Sequence, residues 1–136
     1  AGTSDYIPEM LHAAAQGKPY NCFVRKDTQI PFMTMPDAIE AILQIMNSPK
    51  QNLKRSVYNI RSFAPTAEEF RQKILKFFPN AKIGYKICAK RQNMVDGWPM
   101  DIDDSAAKKE WNWQAVHDLD NGLNEYLIPD LKEMYK

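Results

Sequence analysis

Apolar side chains at Tyr6, Met10, Leu11, Ala14 and Ala15 recur at the three-and-four spacing of one helix face, in a run that begins after Asp5 and stops at Gly17. The spacing predicts a first amphipathic helix, with Pro8 tolerated because it falls in the first turn, where its missing N–H has no intrahelical partner to lose. Residues 20–24 and 30–34 form two short β-prone runs on either side of the charged turn Arg25-Lys26-Asp27. Pro36 then presets the opening of a second helix, and Asp37 places a negative charge near its amino end. Ala38, Ile39, Ala41, Ile42, Ile45 and Met46 give that helix a wide apolar face. Pro49 ends it, a basic loop with Lys50, Lys54 and Arg55 follows, and residues 57–60 are expected as a brief buried strand.

Thr66 and Glu69 stand at capping-box spacing ahead of Phe70, Ile74, Leu75 and Phe78, which predicts a third helix running to Pro79. Ile83, Tyr85 and Ile87 alternate with Lys82, Gly84 and Lys86, the period of a half-buried strand over 81–87. Residues 88–100 read as irregular, Asp103-Asp104-Ser105 opens a short helix toward Trp111, and a last helix is expected over 118–135 with a bend near Pro129. There is no internal repeat and no low-complexity tract. The order is α/β, or α+β if the chain is taken alone, with few short strands and four to five helices. So thin a sheet suggests that something larger is missing.

Composition narrows the classes of function. With 136 residues, 44% hydrophobic and 26% charged, the chain suits one domain, 1–136, with a core of its own. Lysine and arginine number 18 against 17 acids, a net charge of +1, which supplies no field for a nucleic acid or an anionic membrane. No apolar run approaches the length of a membrane span, and Ala1-Gly2-Thr3-Ser4-Asp5 resembles neither a signal peptide nor a transit helix, so the expectation is a cytoplasmic protein. Cys22 and Cys88 suit reduced, structural thiols. His12 and His117 lack neighbours at ligand spacing, so no metal is expected.

The five glycines include no dinucleotide fingerprint and no phosphate loop, and a nucleophile elbow is also absent. Three groups still merit comparison. Gly2-Thr3-Ser4-Asp5-Tyr6 joins a permissive backbone and two hydroxyls to a helix start that could hold a carboxylate, or is an ordinary cap. Met33-Thr34-Met35-Pro36-Asp37 feeds a strand end into a helix, most simply for packing. Asp96-Gly97-Trp98-Pro99 sets an aromatic in a loop, where it covers a small ligand or packs on its own domain. Trp111 and Trp113 read as packing residues, and Lys86, Lys90 and Arg91 as a solvated face.

In order along the chain, Gly2-Thr3-Ser4-Asp5-Tyr6, Pro31-Phe32-Met33-Thr34-Met35-Pro36-Asp37-Ala38, Tyr58-Asn59-Ile60, Trp98-Pro99 with Asp103-Asp104-Ser105, and Trp111-Asn112-Trp113 resemble the carboxy-terminal part of the short-chain L-threonine 3-dehydrogenases. These are extended short-chain dehydrogenase/reductases of the NAD-dependent epimerase/dehydratase type. The resemblance implies that the chain is a small substrate-binding lobe lacking the Rossmann domain, which in the family holds NAD and supplies a catalytic Tyr-x-x-x-Lys pair. It implies NAD-dependent oxidation of the L-threonine 3-hydroxyl to 2-amino-3-oxobutanoate by the complete protein, a homodimer, with the lobe alone inactive.

No catalytic or cofactor-binding residue is expected in this chain. By the same resemblance Thr3 contacts the amino-acid substrate, Gly2 and Ser4 shape its turn, and Trp98 closes over the ligand to exclude water. Phe32, Thr34, Asn112 in place of a common glycine, and the tail through Tyr126-Leu127-Ile128-Pro129 depart from the pattern. They leave open a nucleotide-sugar epimerase or dehydratase, or a non-catalytic interaction module.

Overall fold

In the computed structural model, which describes residues 2–136 and leaves Ala1 outside, two strands pair: β1 (Tyr20–Cys22) and β2 (Ile83–Tyr85). They run parallel, with Tyr20 opposite Ile83, Asn21 opposite Gly84 and Cys22 opposite Tyr85. Both lie within the runs expected to be strands. A parallel pair needs a long crossover, and here two helices and a short 3-10 turn occupy it.

The first helix, α1 (Tyr6–Ala15), packs against β1, and the chain leaves it through Gly17 at a φ of 66°. That left-handed turn is nearly free of strain only for glycine. The second helix, α2 (Met35–Asn47), starts from Thr34, whose hydroxyl accepts the Asp37 N–H. The third, α3 (Ala67–Phe77), has the full reciprocal capping box of Thr66 and Glu69. Tyr6, Met10, Cys22, Val24, Phe70, Ile74 and Leu123 form the main core between these helices and the sheet. A smaller cluster joins Ala41 of α2 to Ala107, Trp111 and Trp113, so the last two tryptophans are packing residues, as their position suggests.

Several expected strands differ. Residues 30–34 make no continuous strand but two isolated antiparallel bridges, Gln29 to Thr66 and Phe32 to Phe63. Pro31 on one side and Pro65 on the other lack the N–H groups that would extend the ladder. Residues 57–60 are neither a strand nor buried throughout: Val57 is 76% exposed, while Tyr58 and Ile60 lean on the tryptophan cluster. The alternation is that of a strand, but among the described residues no neighbouring strand pairs with it.

Residues 88–100, expected to be irregular, contain a further helix, α4 (Ala89–Val95). Its buried residues are Val95, in the main core, and the polar Gln92, which is held by hydrogen bonds. The next helix, α5 (Ser105–Trp111), closes on Asn112 at a φ of 59°. Asparagine tolerates that left-handed conformation better than most residues. The terminal helix is continuous but changes register: α6 (Leu119–Asn121), a π-helical stretch Gly122–Leu127, then α7 (Ile128–Met134). Pro129 cannot donate to the Glu125 carbonyl, and the widened register falls where that bond is lost. Gly122 permits close approach, since a Cβ there would lie 3.1 Å from the Thr34 methyl.

On α2 the expected apolar face is only half used. Ala41 is buried, but Met35, Ile39, Ile42, Leu43 and Met46 form an exposed row along the opposite side. No helix among the described residues is long and apolar enough to cross a membrane.

Candidate functional site

The segment that leaves the turn after β1 and the loop that leaves α4 face each other across a pocket of about 370 Å³. Ile30, Pro31, Phe32 and Met33 line one side, Trp98 and Pro99 the other, and Ser4 comes in from the turn before α1. Two predicted site residues far apart in the sequence, Ser4 and Trp98, therefore meet at one place. Trp98 is 41% exposed, so much of its indole remains available for contact instead of being consumed by the core. Thr3 lies in the same turn, partly buried, and Gly2 is exposed; neither lines the pocket.

That turn is held by its own hydrogen bonds. The Asp5 carboxylate accepts the Gly2 N–H and makes no side-chain cap to α1, unlike the ordinary cap that its position suggests. Tyr6, directly behind, is fully buried edge-on to Phe23 and Phe32. Phe32 is thus both a pocket wall and part of the packing around the first helix. The aliphatic wall at Ile30 to Met33 was not assigned a binding role from the sequence, although the Pro31-Phe32-Met33 landmark was the available signal.

The loop of Trp98 is braced from behind. Gln92 accepts the Arg25 N–H at 2.7 Å, exchanges hydrogen bonds with the Thr28 hydroxyl at 3.1 and 3.3 Å, and donates to Asp96 at 2.7 Å. Arg25 completes the set with two parallel bonds to Asp96, each 2.9 Å. The side-chain hydrogen bonds from Arg25, followed by that from Gln92, hold the Asp96 carboxyl below its ordinary range. Arg91, expected on a solvated face, instead lays its guanidinium 4.2 Å from the Phe23 ring centroid. Cys88 is exposed and free, and Cys22 is buried in β1, where burial pushes its thiol up to about 11.

A second polar cluster resembles a catalytic triad in composition but not in geometry. Asp37 is 1% exposed and takes hydrogen bonds from the Ser62 hydroxyl and the Val116 and His117 amides. His117 Nδ1 lies 2.9 Å from the Thr34 hydroxyl and 3.6 Å from Asp37. A relay needs hydroxyl and carboxylate on different ring nitrogens, whereas both are at Nδ1 here. Thr34 is also committed to capping α2. The cluster is a structural junction.

Two other cavities hold none of Gly2, Thr3, Ser4 and Trp98, although the smaller contains Met33, Thr34 and Met35 of the second candidate group. One, of about 280 Å³, is apolar and lies between α1, α7 and residues 32–35. The other, of about 990 Å³, is a polar cleft beside α5 with Lys54, Arg55 and Lys109 on its walls. There Glu110 is engaged by the Tyr58 hydroxyl, the Lys54 N–H at 2.9 Å and Arg55 at 3.3 Å. Among the described residues neither β1 nor β2 leads through a glycine-rich turn into a helix. No three His, Cys, Asp or Glu side chains among them are grouped to hold a metal ion.

No family model matches the chain. The bovine protein named L-threonine 3-dehydrogenase, mitochondrial, is 37% identical over 119 residues, which is 88% of this chain and 31% of that protein. An uncharacterized epimerase/dehydratase of Staphylococcus haemolyticus is 32% identical over 133 residues, 97% of this chain and 42% of that protein. Among solved structures, a monomeric L-threonine 3-dehydrogenase of metagenomic origin, in its apo form, superposes with a TM-score of 0.92 at 35% identity, over 100% of this chain and 44% of its own. The holo form of a GalE-like L-threonine dehydrogenase from Cupriavidus necator gives a TM-score of 0.87 at 36% identity, over 100% of this chain and 42% of its own.

Each of these relatives is more than twice as long as the part matched. The fold is therefore a small α/β unit of the kind found in the carboxy-terminal part of extended short-chain dehydrogenase/reductases. Within that class the chain belongs to the family of L-threonine 3-dehydrogenases and epimerase/dehydratases.

Proposed function

We propose that residues 1–136 are the substrate-binding lobe of an NAD-dependent oxidoreductase that oxidises L-threonine at its 3-hydroxyl to 2-amino-3-oxobutanoate. The meeting of Ser4 and Trp98 at one pocket carries the proposal. Ser4 offers its hydroxyl to the polar end of an amino acid, with Gly2 and Thr3 shaping the turn that carries it. The aliphatic wall accepts its methyl end, and Trp98 covers both and excludes water. The chain's share of the chemistry is to bind and orient; NAD and the catalytic pair are assigned to the rest of the protein, and the lobe alone is inactive.

The exposed row on α2 supports a missing partner. Met35, Ile39, Ile42, Leu43 and Met46 form the kind of one-sided apolar face that a Rossmann domain of the same protein would cover. The same reading takes the complete protein to be a cytoplasmic homodimer.

Joining the lobe to its upstream sequence should create NAD-dependent oxidation of L-threonine, and Trp98→Ala should then raise KM about tenfold by removing the cover. A well-folded joined protein inert toward L-threonine would sink the substrate assignment. The staphylococcal relative's name and the cations of the polar cleft favour a second reading, a lobe for a nucleotide-linked sugar. Saturation of the joined protein by a nucleotide sugar, with Lys54→Ala and Lys109→Ala weakening it, would decide for that alternative.

A further inference from the structure

The two walls of the Ser4–Trp98 pocket come from segments that share no regular secondary structure. One wall, Ile30 to Met33, follows the turn after β1; the other, Trp98 and Pro99, follows the end of α4. Phe32 is bridged to Phe63, and the Cys88 N–H bonds the Phe23 carbonyl at 2.9 Å below both segments, but neither contact joins one wall to the other, so their separation also depends on side chains.

The bonds that join them are few and converge. Thr28, two residues before Ile30, is buried and bonded to Gln92. Asp96, two residues before Trp98, is bonded to Gln92 and to both terminal nitrogens of Arg25. Arg25 begins the same turn that Thr28 ends, since the Thr28 N–H reaches the Arg25 carbonyl at 3.1 Å. A forked guanidinium on a carboxylate fixes orientation as well as distance, which a single ammonium cannot do. The third guanidinium nitrogen, Nε, is 3.2 Å from Asp27, so Arg25 is held in place from its own turn while it grips Asp96.

Burial separates the two parts of this brace. Gln92 is 3% exposed and belongs to the fold. The side chains of Arg25 and Asp96 are each 42% exposed, so their pair contributes little to global stability and can be removed without unfolding the chain. What its loss releases is the short Asp96-Gly97-Trp98 connection, which otherwise has the Gly97 and Trp98 amides bonded back to Met94 and Val95.

We propose that Arg25, acting through its forked pair with Asp96, is a positioning residue for Trp98 and sets the width of the Ser4–Trp98 pocket. The functional importance of that width rests on the substrate-lobe reading above, but the mechanical link does not. It places a residue of the turn after β1, remote in sequence from the tryptophan loop, in control of how the indole is presented. Arg25 touches neither the ligand site nor any reacting atom; it acts through Asp96.

The test uses the chain labelled with 5-fluorotryptophan, whose three fluorine resonances report Trp98, Trp111 and Trp113 separately, with Trp98→Phe identifying the first. Arg25→Met and Asp96→Ala should each shift or broaden the Trp98 line, by about twofold in width, while the two buried tryptophans stay unchanged. The double variant should go no further than Asp96→Ala, which already removes the bonds from both Arg25 and Gln92. Arg25→Lys should recover only part of the wild-type line, because it restores the charge without the fork. About 0.5 M sodium chloride should loosen Trp98 in the wild type and leave Arg25→Met unaffected, since an exposed pair is screened by salt.

A Trp98 line indifferent to both substitutions and to salt would overturn the proposal. So would movement of all three lines together, which would mark general loss of packing. Should Arg25→Met fail to fold, the salt response of the wild type and the Arg25→Lys spectrum decide the matter. None of these readings requires L-threonine, so failure of the joined enzyme to oxidise it would refute the substrate and leave the positioning role standing.

Discussion

The Asp37 carboxylate, sealed in the first turn of α2, accepts the Val116 backbone N–H at 2.9 Å and so ties that helix to the segment leading into the terminal one. The Ser62 hydroxyl at 2.7 Å and the His117 amide at 3.2 Å complete its partners. Replacement by alanine would leave these donors buried and unpaired. Asp37→Ala should therefore cost about 3 kcal/mol, read from urea unfolding, whereas an exposed acid such as Asp27 should cost well under 1 kcal/mol.

The same carboxylate should make stability acid-sensitive. Burial by itself would raise its pKa, but the hydrogen bonds from Ser62, Val116 and His117, with the nearby His117 ring, outweigh burial and hold it below its ordinary value. A folded pKa below the unfolded one gives stability that is complete above the unfolded value, near 4, and is lost as pH falls through the folded value. Asp37→Asn should flatten the acid limb of a stability-against-pH curve; an unchanged slope below about pH 4 would contradict this assignment.

Tyr6 offers a change in the opposite direction. Its hydroxyl is buried with no hydrogen-bond partner among the described residues, and burial pushes its pKa upward. The ring carries the packing, edge-on to Phe23 and Phe32. Tyr6→Phe should raise unfolding stability by about 1 kcal/mol, since the phenol loses water on folding and gains nothing for it. A loss of stability on that substitution would show that the hydroxyl has a partner.

At the start of α3, Thr66 and Glu69 bond to each other's backbone N–H groups. Thr66→Ala should lower stability by about 1 kcal/mol, measurable as a shift in the thermal midpoint, and Thr66→Ser should retain most of it.

The exposed row on α2 should cause the isolated lobe to associate. Sedimentation at about 0.1 mM should show species larger than a monomer, and Ile42→Glu with Met46→Glu should return them to monomer without lowering the thermal midpoint. A wild-type lobe that stays monomeric at that concentration would remove the reason for assigning this face to a missing domain.

Local rules were enough for the elements whose signals lie within a few residues of each other. The capping box at Thr66, the start of α2 at Thr34 to Asp37 and the stop of α1 at Gly17 need only neighbouring atoms, so the sequence alone reveals them. The strand character of 20–22 and 83–85 was equally clear, but their pairing with each other was not, since parallel contact joins segments that carry no mutual mark. α4 escaped notice because it is short and one of its two buried residues is the polar Gln92, whose partners Arg25 and Thr28 come from elsewhere in the chain. At 57–60 the apolar content was real, yet a strand exists only beside another strand.

For the site, the residue types of Ser4 and Trp98 and the motifs around them could be read in order along the chain, while their presence at one pocket could not. Distance along the chain says nothing of distance in space until the helices between have packed. Tertiary structure alone decided that Ile30 to Met33 form the facing wall and that a forked Arg25–Asp96 pair holds it opposite Trp98, because packing and hydrogen-bond geometry depend on where every other segment comes to rest.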